Sequence, residues 1–248
     1  MPSKEYIQWK SFDNRRWGYL PSARRQARKA LADQVKPVLD MLKEYGVKRT
    51  HDNFIVDKEI LRPFYDRLYR NVGIPFARVQ YEQLQGKIDK QDQDEWAMRV
   101  QNYLGIAISD RLDAVSETTR HTIARVLTRG IQEGATIDDM ASRIASQAGG
   151  MTRATRIART EIISASNLGS IEGAKSTGLP LRKTWLAARQ PDRTRPDHLE
   201  ADGQTVDMEE LFNVGGSQLS FPGDWDHGAD VSQLVNCRCT VTYEVKRD

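Results

Sequence analysis

Apolar residues recur along most of the chain at the three- and four-residue spacing of an amphipathic helix. From Ser22 onward, Leu31, Val35, Val38, Leu39 and Leu42 share one face. Pro37 stands inside that pattern, and because proline lacks the amide hydrogen and crowds the preceding turn, it predicts a bend or break. A second stripe over roughly 57–72 carries Ile60, Leu61, Phe64, Leu68 and Val72 and is closed by Gly73 and Pro75. Residues 77–95 are polar, with Gly86 among Lys, Asp and Gln, and read as a loop or a frayed helix. The period returns from Trp96 through Val100, Leu104, Ile108, Leu112 and Val115. Residues 116–119 are placed to cap a further helix bearing Ile123, Leu127 and Ile131, which ends before Gly134. Thr136, Asp138 and Asp139 resemble a capping box with aspartate in place of glutamate, ahead of Met140 and Ile144. Gly149 and Gly150 then separate that helix from one over roughly 152–175.

After Gly178 and Pro180 the texture changes to short segments rich in Val, Thr, Trp and Phe between Asp, Gly and Pro turns. Strands are predicted at 183–188, 204–207 and 239–245, with a short helix near 208–212 and a plain turn at Gly215-Gly216-Ser217. The fold class is therefore α+β: a mostly α-helical N-terminal part, then a small α+β C-terminal module with short strands and long loops. The expected divisions are an arm at 1–22, a helical domain at 23–150 and the α+β module at 151–248. There is no internal repeat and no low-complexity tract.

The chain has 248 residues, enough for a substantial core, and a mean hydropathy of -0.63. No apolar run approaches the roughly 18 residues of a membrane span, and the first 30 residues lack the apolar stretch of a secretory signal. A membrane or Sec-exported protein is not expected. Two cysteines, Cys237 and Cys239, do not make a disulfide framework, which fits synthesis in a reducing cytoplasm. The net charge of +3 conceals an asymmetry: residues 1–50 carry +7 and residues 191–230 carry -8. Such a pair of regions can bind polyanions, cations or each other.

The phosphate-binding, dinucleotide, HExxH and GxSxG signatures are all missing. Polar residues concentrate instead at 159–161, 192–203, 222–227 and 236–239. Arg159 and Glu161 sit inside a helix of small and apolar residues and, two positions apart, point to different faces. An internal charge pair is the simpler reading, and a catalytic Glu161 the less economical one, since no nucleophile stands beside it. Asp192, His198, His227, Cys237 and Cys239 supply a candidate zinc set. On a strand, Cys237 and Cys239 would face the same side, although the usual zinc spacing is CxxC and cysteines are also buried as small hydrophobes. The expectation is no cofactor, or one structural zinc. Loops 192–203 and 222–239 are expected to converge.

The first 22 residues read as an arm without helical or strand period. Trp9, Phe12, Trp17 and Tyr19 alternate there with Lys10, Arg15 and Arg16. Trp9, Phe12, Arg15, Arg16, Trp17 and Tyr19 are taken as partner-binding residues, for a groove on another protein or for nucleic acid.

Arg159-Thr160-Glu161, then Asn167, Gly169, Trp185, Asp192-Arg-Thr-Arg-Pro-Asp-His198, Gly203, Pro222-Gly-Asp224 and Asn236-Cys-Arg-Cys239 resemble, in order, the phage Mu F-like minor head protein family. Arg195 and His198 stand where many relatives carry cysteine, and Val235 precedes Asn236 where the family pattern has His-Pro. The resemblance implies a head morphogenesis protein of a tailed bacteriophage, made in the host cytoplasm. It would reside inside the virion head, with the portal protein and other head proteins as partners and an influence on head assembly or genome delivery. It implies no enzyme and no membrane. The alternatives are a metal-dependent hydrolase, nuclease or transferase using Asp192, His198 and Glu161, or a module that binds packaged double-stranded DNA through the basic arm.

Overall fold

The computed structural model describes residues 4–85, 90–188 and 194–246. Five long helices come first: α1 (Lys4–Asn53), α2 (Arg62–Gln85), α3 (Lys90–Glu133), α4 (Ile137–Ala148) and α5 (Met151–Lys175). Strand β1 (Leu181–Leu186), helix α6 (Pro196–Glu200), strands β2 (Thr205–Asp207), β3 (Phe212–Val214) and β4 (Ser217–Leu219), helix α7 (Val231–Leu234) and strand β5 (Thr240–Val245) follow. The α+β class is the observed one.

The first difference from the sequence reading is at the N-terminus, where the expected arm is the opening of α1. Buried positions run Trp9, Asp13, Arg16, Ala23, Ala27, Ala30, Leu31, Gln34, Val35, Val38 and Leu42, an unbroken helical period. Two of the first three are charged, so the period is invisible to any reading that counts only apolar residues inward. Pro37 does not break the helix either. Burial of Val35 and Val38 on either side of it outweighs one missing hydrogen bond, and the kink falls at Gly46, where φ is 74°.

The pattern predicted to end at Gly73 and Pro75 continues through them, because Phe76, Ala77 and Tyr81 extend the same buried stripe. Residues 116–119 do not cap a helix but lie inside α3. The Gln34 amide donates to Ser116 Oγ at 2.8 Å, and Thr119 Oγ1 donates to Gln34 Oε1 at 3.0 Å. Of the stretch 77–95, read as a loop or a frayed helix, residues 77–85 and 90–95 are helical, and 86–89 lie outside the described residues. Thr136 is the N-cap of α4, its hydroxyl accepting from the Asp139 amide at 3.1 Å.

The chain divides into two compact units. One comprises Met1–Pro21, Asp66–Ala107 and Arg159–Asp248, and the other Ser22–Tyr65 and Ile108–Ala158. The predicted boundaries at 22 and 150 miss this discontinuity, because α1, α2, α3 and α5 each contribute to both units. The second unit is helical, with Val35, Val38, Leu42, Ile123, Leu127, Met140 and Ile144 in one core.

In the first unit, β1 pairs antiparallel with β2 and with β5, giving the order β2-β1-β5, with Trp185 opposite Val241. β3 and β4 form a hairpin whose turn residues Gly215 and Gly216 have φ of 56° and 81°, the left-handed pair that a two-residue turn requires. No helix forms at 208–212: Phe212 opens β3, where Phe212 and Val214 alternate inward.

Alternation along β1 also buries Lys183, whose Nζ donates to Ser220 O at 3.1 Å and Oγ at 3.2 Å beside the Phe212 ring. Burial pulls this ammonium down to about 8 from 10.5. Its folded-state value is depressed, so its penalty is complete below pH 8 and disappears as pH rises towards 10.5. Relative to Lys183→Met, the native chain should therefore gain stability between pH 8 and 10 in urea titrations, by at most about 3 kcal/mol before solvent screening. A difference that stays flat across that range would show the ammonium is not desolvated.

Candidate functional site

Pro196, at the first position of α6, starts the short helix that carries His198 inward. Cys237 and Cys239 precede β5 rather than lying on it, in a turn where Asn236 has φ of 59°. The turn brings both sulfurs to one point all the same. His198 Nδ1 lies 3.5 Å from Cys237 Sγ and 3.4 Å from Cys239 Sγ, and all three residues are buried. Both thiols are free.

The other imidazole nitrogen is fixed by a two-step relay. Asp197 Oδ2 accepts from Gln233 Nε2 at 2.7 Å, and this sets the amide so that Gln233 Oε1 faces His198 Nε2 at 2.9 Å. An oxygen there demands a proton on Nε2, which leaves Nδ1 directed at the two sulfurs. Trp185 packs edge-on against the imidazole with ring centroids 5.7 Å apart. Hydrogen bonds from Cys239 and His198 hold the Cys237 thiol well below its ordinary range, against burial, while burial pushes Cys239 up. For His198, burial opposes the charge but the bond with Cys237 outweighs it, raising its pKa.

The N-terminal turns of α1 dock on the same loop. Trp9 Nε1 donates to Arg238 O at 3.0 Å, and Trp9 packs with Leu186 and Ala188. Arg16 is wholly buried and donates to Ser166 Oγ at 2.7 Å, Asn167 Oδ1 at 2.6 Å, Thr240 Oγ1 at 3.1 Å and Cys239 O at 3.3 Å. Burial brings its guanidinium down to about 10. The expectation that Trp9 and Arg16 anchor a partner is thereby corrected, since both are consumed inside this chain. Phe12 and Tyr19 are half-buried against Phe76, Trp17 is half-buried, and Arg15 alone of the six is exposed. The guanidiniums of Arg159 and Arg238 lie 5.9 and 5.5 Å from the Trp17 ring, beside a cavity of about 250 Å³ that also reaches Asn236 and Cys237.

One face of α5 holds the loops in place. Thr160 Oγ1 accepts from the Asn236 amide at 3.1 Å, and Ser164 Oγ donates to Gly223 O at 2.5 Å. Asn167 Nδ2 donates to Pro222 O at 2.8 Å and to Cys239 O at 3.2 Å. Positions 160, 164 and 167 are one helical stripe, a spacing that could have been read from the sequence but is easily passed over among small residues. Gln233 and Asp197 carried no signal beyond lying near the motif.

The remaining candidates disperse. His227 Nδ1 bonds Asp224 Oδ2 at 2.6 Å, and the buried Asp224 also accepts from Tyr103 and from the Ser220 and Asp226 amides, so His227 is not with the thiols. Glu161 is buried and accepts from Tyr69 Oη at 2.9 Å, while Arg159 is exposed. The Gly203 amide donates to Trp185 O at 2.9 Å, with φ of 82°, and the Arg195 guanidinium donates to Val235 O. Asp192 lies outside the described residues.

Residues 121–242 match the model of the family described as Phage Mu protein F like protein. The NAD(+)--arginine ADP-ribosyltransferase EFV of Enterococcus faecalis (strain ATCC 700802 / V583) is 32% identical over 145 residues, which are 57% of this chain and 29% of that protein. The uncharacterized protein YqbB of Bacillus subtilis (strain 168) is 24% identical over 137 residues, 54% of this chain and 45% of that protein. The matched stretches thus span less than half of either relative. No solved structure matches the chain.

Proposed function

We propose that the chain, whose residues 121–242 match the Phage Mu protein F like family, is a minor phage head protein that joins the procapsid through the portal. The family match carries this reading, because it spans the stretch from α3 to β5 in which the stripe on α5 holds the loops of the His-Cys-Cys cluster. The three side chains of the cluster are buried, which suits a structural module better than a substrate site. Among the described residues, no helix is long and apolar enough to cross a membrane. The transferase activity in the name of the Enterococcus protein is not carried over, because the match covers under a third of that protein. The surface offered to the portal is taken to be the exposed face of α1, including Arg15, rather than the buried Trp9 and Arg16.

Co-expression of the tagged full chain with the portal and scaffolding proteins of its own phage tests this. The chain is expected to co-purify with portal rings and to be present in procapsids, and portal-free procapsids should lack it. Procapsids that package it equally well without portal would overturn the portal route. A salt-sensitive shift of double-stranded DNA by a chain that does not bind portal would transfer the role to packaged DNA.

A further inference from the structure

We propose that His198 Nδ1, Cys237 Sγ and Cys239 Sγ form a three-ligand site for a zinc-class divalent cation, with its fourth position opening on a small cavity. Zinc bound tetrahedrally by imidazole nitrogen and thiolate sulfur, at about 2.0 and 2.3 Å, places nitrogen and sulfur about 3.5 Å apart. The two observed separations, 3.4 and 3.5 Å, are that edge within a few tenths of an ångström, and all three ligand atoms lie within 4.8 Å of one another. The Asp197–Gln233 relay fixes the imidazole from behind as outer partners of metal-bound histidines do, holding the proton on Nε2 and the lone pair of Nδ1 inward. Two thiolates balance a divalent charge, so the filled site is neutral and compatible with its burial.

The fourth position is the informative part. A cavity of about 20 Å³ adjoins the cluster, lined by Ala188, Thr194, Arg195, Asn236 and Arg238 together with the three ligands. That volume is enough for one water. Among the described residues, a single water in that cavity completes the set as the fourth ligand.

The cation would tie α6 to the turn ahead of β5. That turn is also where α1 lands, since Trp9 and Arg16 donate to the Arg238 and Cys239 carbonyls. Metal binding should accordingly secure the N-terminal helix as well as the loop. This inference does not depend on portal binding, and either can fail alone.

The test is cobalt substitution of the reduced full chain. One Co²⁺ per chain is expected, with sulfur-to-cobalt charge-transfer absorption in the near ultraviolet and intense visible bands of a four-coordinate ion. Zinc should displace it at equal stoichiometry. Stripping the metal with a chelator should lower the thermal midpoint by on the order of 5–10 °C and speed tryptic cleavage at the exposed Arg15. Gln233→Leu, which leaves all three ligands, should weaken cobalt binding about 10–100-fold. A folded, reduced chain that takes up no cobalt, or that binds it without thiolate bands, would overturn the proposal.

Discussion

Replacing Arg16 with alanine is expected to cost the chain about 3–5 kcal/mol of stability, the range for removing one partner from a buried charged network. The guanidinium reaches acceptors on α5 and at the start of β5, all inside the fold. Alanine takes a donor from the Ser166 and Thr240 hydroxyls and leaves the Cys239 carbonyl to Asn167 Nδ2 alone, in a space too enclosed for bulk water to enter. Lysine does not rescue it, because one ammonium cannot reproduce the planar fork that reaches both α5 and the start of β5. Urea denaturation of the full-length variant, followed by circular dichroism and by tryptophan fluorescence, reads the loss. Fluorescence should report Trp9 leaving its site beside Leu186 and Ala188. A loss under about 1 kcal/mol would put Arg16 on a par with an exposed ion pair and refute its role as the tie between α1 and the sheet.

Arg16 also shows where the sequence could be read and where it could not. A helix whose inward positions are apolar, such as α4 with Met140, Ile144 and Ala148, was legible in period and in punctuation, down to the Thr136 cap. The opening of α1 was not, because its inward residues include Asp13 and Arg16, and the partners that make burial of a charge tolerable lie some 150 and more residues away. Glycine and proline misled for a related reason. Gly73, Pro75 and Pro37 break isolated helices, but here tertiary packing offsets a local cost of a few kcal/mol. At the site, the nearness of His198 to the two cysteines was legible as a chemical set, and the exclusion of His227 was not. His227 is claimed by Asp224, a residue three positions away whose burial depends on Tyr103 of a distant helix.

Gly169→Ala is expected to be comparably damaging, although helix propensity by itself says that alanine should help by up to about 1 kcal/mol. A Cβ at Gly169 would sit 2.0 Å from the Gly73 carbonyl oxygen, and one at Gly173 would sit 2.1 Å from that of Ala77. Both obstacles are backbone, so no side chain can swing aside, and α2 and α5 must move apart along their crossing. Separation opens gaps along the whole contact and forfeits the close packing that the two glycines permit. The expected loss is about 2–4 kcal/mol for Gly169→Ala, and the double variant with Gly173→Ala should fail to form the native unit. Gly105, inside α3 with nothing within 4 Å of an added Cβ, is the control: alanine there should stabilise slightly. The opposite signs in one chain separate packing from propensity. Because α5 also presents Thr160 and Asn167 to the loops of the thiol cluster, pushing the helix outward should weaken cobalt binding in Gly169→Ala and leave it unchanged in Gly105→Ala. Equal cobalt affinity in both variants would show that the cluster is held by its own loops and not by the face of α5.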